Sequence, residues 1–216
     1  MNDLITANAA RMRRLSARID ETVKLRAVSA AHRAKWEAAC ADFHGQFDKL
    51  FFPGGSQAWL DFTQGDSADV EPALAFLEAD PFAFRSGYHK QILWNRFKRI
   101  FLSADEKQRL ESVALSYLDK LVRREFWHMA KYVRLRGGSV FWQGVTRIAT
   151  ARSRSPAAVK AYWLLLVRAN QPIRQRINGE LLRARYEPGY KPVLDFYVPA
   201  TLRDKVARNI KTGNKQ

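Results

Sequence analysis

A tryptophan set among cations is the arrangement in this chain with the most evident chemical use. On a helix drawn through residues 123–136, Arg124, Trp127, Lys131 and Arg134 fall on one face in line with Lys120, while Phe126, Met129 and Val133 fall opposite. An indole in such a setting can stack on an unpaired base while the ammonium and guanidinium groups hold phosphates. The same ring suits packing against a neighbouring helix, and both readings stay open at this point. Further along, Gln143, Thr146, Arg147 and Thr150 share a helical face with Phe141, Val145 and Ile148 behind them. Amide, hydroxyl and guanidinium groups of this kind make phosphate and sugar contacts, which position a nucleic acid without reading its sequence. Arg152, Arg154, Arg174, Arg176, Arg183 and Arg185 come in pairs near expected helix ends. There they can either cap carbonyls or add to the same surface.

Acid–base chemistry has one candidate pair. Arg123 and His128 are separated by four residues, and this spacing resembles the Arg-x4–6-His pattern of the HEPN-type ribonucleases, an all-α family. The resemblance implies that Arg123 and His128 act at a scissile phosphate without a metal. Arg26 and His32 fit the same spacing, and Arg124 stands where the HEPN pattern usually carries a smaller polar residue. Cys40, Asp42 and His44 lie close in sequence, but one cysteine and one histidine fall short of a complete metal set. The chain lacks Gly-x-x-x-x-Gly-Lys-Ser/Thr, Gly-x-Gly-x-x-Gly and Gly-x-Ser-x-Gly, so nucleotide hydrolysis, dinucleotide binding and the serine-hydrolase elbow have no support. No metal or cofactor is expected, and a binding protein is favoured over an enzyme.

The charge distribution points to the partner. The 216 residues carry a net charge of +16, yet residues 1–84 sum to −3 and residues 85–216 to +19. Between Glu125 and Glu180 lie ten Lys and Arg residues and no acid. Solvated helices ordinarily mix signs, because opposite charges three or four residues apart support each other. A folded, aromatic-rich segment without such mixing is expected to face a polyanion, DNA or RNA. An acidic protein partner is the alternative, with the chain as a scaffold or accessory subunit. Residues 45–84 carry −6 and could shield the basic part.

The elements that must position these residues are helical. From Asn2 to His44 there is neither Gly nor Pro, which predicts one or two long helices. Their apolar stripe of Met12, Leu15, Ile19 and Val23 fades at Arg26, so packing on the body is favoured over a coiled coil. Ser103 with Glu106 forms a capping-box signature, Gly137-Gly138 a helix stop, and Ser155-Pro156 and Asn170-Gln171-Pro172 helix starts. Between Ser103 and Arg136 the apolar face jumps, which predicts a break near Asp119 to Arg123. Residues 156–169 are apolar all round except for Lys160 and Arg168, so that helix should be central. Only Lys191 to Val198 carries any strand patterning.

The expected architecture is all-α. Residues 1–84 form an N-terminal region of long helices and an acidic, loop-rich segment. Residues 85–216 form a basic helical domain of hairpins at 86–121, 122–153 and 155–187. These either stack as a short α-solenoid, with Trp94, Trp127 and Trp163 recurring in the first helix of each, or form an irregular bundle. The longest apolar run, Ala161 to Val167, is far short of the roughly 20 residues that span a bilayer. The start of the chain carries no secretory or transit signature, and the lone Cys40 fits a reducing compartment, so a cytoplasmic location is expected.

Overall fold

The stretch without Gly or Pro at the start of the chain folds as two helices, α1 (Asn2–Val23) and α2 (Ala30–Leu50), joined by a turn. The computed structural model describes residues 1–65, 69–151, 155–171 and 173–189, without the side chains of residues 176, 177, 180, 181, 184 and 185, and every regular element among them is an α-helix. Lys191 to Val198 lies outside the described residues. Ser29 caps α2, its hydroxyl accepting from the His32 amide at 3.3 Å. On α1 a stripe of Ile5, Ala9, Met12 and Leu15 is buried, while Ile19 and Val23 are half-buried, so the expected stripe does fade. It packs against α2 and against α4 (Glu71–Ala79).

Helices α3 (Gly55–Gln64), α5 (Ser86–Phe97) and all but the last three residues of α6 (Ala104–Ser116) complete the first of two compact units, residues 1–113 and 114–216. The charge step at 84/85 falls inside this first unit. Several charges on either side of the step pair within it. Arg109 donates to both Glu71 and Glu78, at 2.6 to 3.0 Å, tying α6 to α4. These bonds raise the guanidinium pKa and lower that of Glu71. The fully buried Lys90 forms an ion pair with Asp80, and Arg96 donates to the carbonyls of Phe62 and Gly65. Sorted by unit instead, residues 1–113 sum to +1 and residues 114–216, with 21 basic and 6 acidic residues, to +15.

The capping box is in place. Ser103 N donates to Glu106 Oε2 at 2.7 Å, and Glu106 N to Ser103 Oγ at 3.3 Å. Regular helix then stops at Ser116 and resumes at Phe126, so the expected break is present and wider than the jump in apolar face suggested.

The second unit is built on α9 (Pro156–Arg168). Ser155 caps it by accepting from Ala158 N at 3.2 Å, with Pro156 in the first turn. Eight of its residues, Ala158 to Leu165, are buried, which makes it the central helix its composition predicts. Helices α7 (Phe126–Arg136), α8 (Ser139–Thr150) and α10 (Ile173–Tyr186) all pack against it. Among the architectures open from sequence, the irregular bundle is the one that fits: α8 packs on α9 far more extensively than on α7, its chain neighbour. Between α7 and α8 the stop comes from close approach. Gly137 has φ −63°, and a Cβ there would lie 2.6 Å from the Val133 carbonyl oxygen and 3.1 Å from Phe141 Cδ1. Lys160 lies inside this unit, 5% exposed, and its Nζ donates to the Lys120 carbonyl in the turn after α6.

Candidate functional site

Helix α7 begins at Phe126, so the face drawn from Lys120 is not one helical surface: Lys120 and Arg124 precede α7 and only Trp127, Lys131 and Arg134 ride on it. At positions i, i+4 and i+7 these three share one side, and all three line one cleft of about 150 Å³. Trp127 is not an open platform. It is 6% exposed, its ring lies nearly parallel to Trp163 at 6.2 Å, and Phe126 meets it edge-on at 5.2 Å. Of the two readings open from sequence, packing against a neighbouring helix is the one this burial fits: α7 buries two sides, because Trp127 packs on α9 while Met129 and Val133 fill the core. Only the rim of the indole reaches the cleft.

The opposite wall comes from the end of α9 and the start of α10. Asn170 N donates to Val167 O at 3.1 Å and Gln171 N to Leu166 O at 2.9 Å, while Asn170 adopts φ +61°. This is a Schellman stop, with asparagine in the left-handed position that usually favours glycine. The stop brings Val167, Asn170, Gln171 and Ile173 to the cleft beside Ala130. Arg134 Nη1 donates to Asn170 Oδ1, bridging α7 to this corner. Arg174 arrives from α10, so three of the expected cations, Lys131, Arg134 and Arg174, converge on one cleft with no carboxylate among its described lining residues. Lys131 and Arg174 are exposed and make no side-chain hydrogen bond or ion pair among the described residues.

The chain matches no protein-family model, no curated protein and no solved structure.

The remaining expected residues are dispersed. Lys120 is half-buried, with its Nζ 5.2 Å from the Tyr117 ring, and Arg124 is exposed in the turn before α7. On α8, Gln143 and Arg147 are exposed, and Phe141 and Val145 are buried behind them as the periodicity predicts. The Thr150 hydroxyl donates back to Thr146 O at 2.9 Å. Arg168 stacks over Trp142 at 4.7 Å. Arg152 and Arg154, and the side chain of Arg176, lie outside the described residues.

The expected acid–base pair does not enter the cleft. Arg123 lies before α7 and His128 in its first turn, both half-buried, and neither is part of the lining. In the other pair of matching spacing, the Arg26 guanidinium lies over Trp36 at 5.2 Å and His32 Nδ1 is 2.8 Å from Ser29 Oγ, so both support local structure. Asp42 pairs with Arg18 at 2.8 Å, and among the described residues no three His, Cys, Asp or Glu side chains gather where they would hold a metal. No helix among the described residues is long and apolar enough to cross a membrane. Sequence reasoning missed Asn170 and Gln171 as site residues. Their only signal in sequence is the helix start Asn170-Gln171-Pro172, a backbone feature that says nothing of the stop at the end of α9 or of the side chains.

Proposed function

We propose that residues 114–216 bind the phosphate backbone of a nucleic acid, with Lys131, Arg134 and Arg174 as the central contacts. One observation carries this reading: cations from two helices meet at a cleft with no carboxylate among its described lining residues, inside a unit of net charge +15. Elsewhere in the chain, cations such as Arg109 and Lys90 are matched by carboxylates. Gln143, Arg147, Lys120 and Arg124 are further backbone contacts in this proposal, whose specificity is for charge and shape.

Fluorescence anisotropy tests it, with labelled single- and double-stranded DNA and RNA titrated across salt concentrations. Each neutralised phosphate contributes roughly −0.7 to −0.9 to the log–log salt slope. The doubly substituted Lys131→Glu, Arg174→Glu protein should bind more weakly and lose about two such contributions. Weak, length-independent binding that disappears by physiological salt would overturn the proposal and make this face a docking surface for an acidic protein.

A further inference from the structure

Phosphate contacts alone do not account for the composition of the cleft. Behind its cations stand apolar groups, Ala130, Val167, Ile173 and the rim of Trp127, together with the carboxamides of Asn170 and Gln171. An oxyanion gains nothing from an apolar wall. A flat heteroaromatic ring gains from both, since its faces and edges pack against apolar side chains while amides satisfy its polar edge. At about 150 Å³ the cleft is also well below the roughly 300–1,000 Å³ of sites that enclose a drug-sized molecule, so it suits one ring of a larger ligand held mainly outside it.

We infer that the cleft receives one unpaired nucleobase of a single-stranded nucleic acid, whose flanking phosphates lie on Lys131 and Arg174; this rests on the nucleic-acid reading above. A base stacked and paired within a duplex cannot enter a lateral cleft, so the site selects unpaired strands. The polar edge of the base is met by a prepared group. The Schellman stop fixes the Asn170 backbone, and Arg134 Nη1 donates to Asn170 Oδ1, which orients the carboxamide and leaves the two N–H groups of Nδ2 to donate. That atom is a donor, suited to a ring nitrogen or carbonyl oxygen. Gln171 is exposed, with no side-chain hydrogen bond among the described residues, and offers both a donor and an acceptor. Arg134 thus acts as a positioning residue, turning Asn170 toward its donor role as well as supplying charge.

The test uses the full chain and a fluorescein-labelled single strand of roughly 12 nucleotides, within the range of known single-strand site sizes, carrying the fluorescent base 2-aminopurine at successive positions. Anisotropy reports binding of the strand, and 2-aminopurine brightening reports a base leaving its stack. Expected are brightening at one or more positions and single-strand affinity on the order of tenfold above that for the matched duplex, in line with one base held at a protein site. Val167→Phe, which fills the cleft, and the exposed Gln171→Ala should each keep the anisotropy response at low salt and lose or reduce the brightening. Binding without brightening, equal affinity for duplex, or brightening indifferent to both variants would overturn the base site and leave the backbone reading standing. No anisotropy response for any strand would overturn both.

Discussion

The indoles of Trp127 and Trp163 lie 22° from parallel with centroids 6.2 Å apart, and this pair fixes α7 on α9. The consequence for the cleft is direct: Lys131 and Arg134 take their positions from a helix whose roll is set by a buried tryptophan one turn earlier. The residue that most resembles a ligand contact in sequence is the anchor of the contacts instead.

Trp127→Ala should therefore be a stability variant. Removing a buried tryptophan side chain costs about 3–5 kcal/mol, so urea denaturation should show a large fall in midpoint without any ligand present. Unchanged stability would mean that the indole contributes little to the core and would return it to the surface.

The burial pattern of α7 explains what the sequence disclosed and what it hid. Helical periodicity placed Phe126, Met129 and Val133 inside, and all three are 2% exposed or less. The all-round apolar character of residues 156–169 placed α9 at the centre, and the caps at Ser103 and Ser155 fixed helix starts, because these signals are local. Periodicity cannot report a second buried side, since that depends on which helix arrives there; from sequence Trp127 therefore stays open between packing and stacking. The cleft was hidden for the same reason. Lys131 and Arg174 are far apart in sequence and meet only because α7 and α10 both lean on α9.

The first unit carries a pH-sensitive packing element. His89 on α5 sits among Phe51, at 4.9 Å between ring centroids, Trp59, at 5.0 Å, and Phe47, at 6.4 Å. Burial, reinforced by the charge of Arg85, lowers its pKa from 6.5 to about 4. The unfolded chain then binds this proton more readily than the folded one, so stability is fully present above pH 6.5 and is lost as the pH falls toward 4. Partial solvent access limits the effect to on the order of 2 kcal/mol. Denaturant midpoints of wild type and His89→Phe between these pH values should diverge, with the variant flatter. Parallel curves would refute a neutral, buried His89.

Lys160 gives a second pH dependence, set by a buried amine. Burial lowers its pKa from 10.5, and only Asp119 pulls the other way. Burial makes the ammonium costlier to keep in the folded state than in the unfolded one. Above the lowered folded value and up to 10.5 the unfolded state holds the extra proton, and stability from this group rises with pH. Lys160→Met removes that rise, and unfolding measured at pH 8 and pH 10 should show it as a smaller gain in the variant than in wild type. Replacing a buried charge by an apolar chain of similar length is often neutral or stabilising, here against the loss of the bond to the Lys120 carbonyl. An identical pH response in both proteins would argue that the ammonium is solvated.

Asn170 allows the backbone and the side chain of the cleft corner to be separated. Its φ of +61° disfavours alanine by roughly 1–2 kcal/mol and accommodates glycine freely. Asn170→Gly should therefore fold as well as wild type, since the two backbone bonds of the Schellman stop need no side chain. Asn170→Ala should fold less stably for the strain alone. In oligonucleotide binding the order changes, because both variants lose the carboxamide and the Arg134 bridge. If the amide contacts a base, glycine and alanine variants lose affinity together despite their unequal stability. If affinity instead follows stability, with the glycine variant intact, the corner serves only to end α9 and the cleft binds through its cations alone.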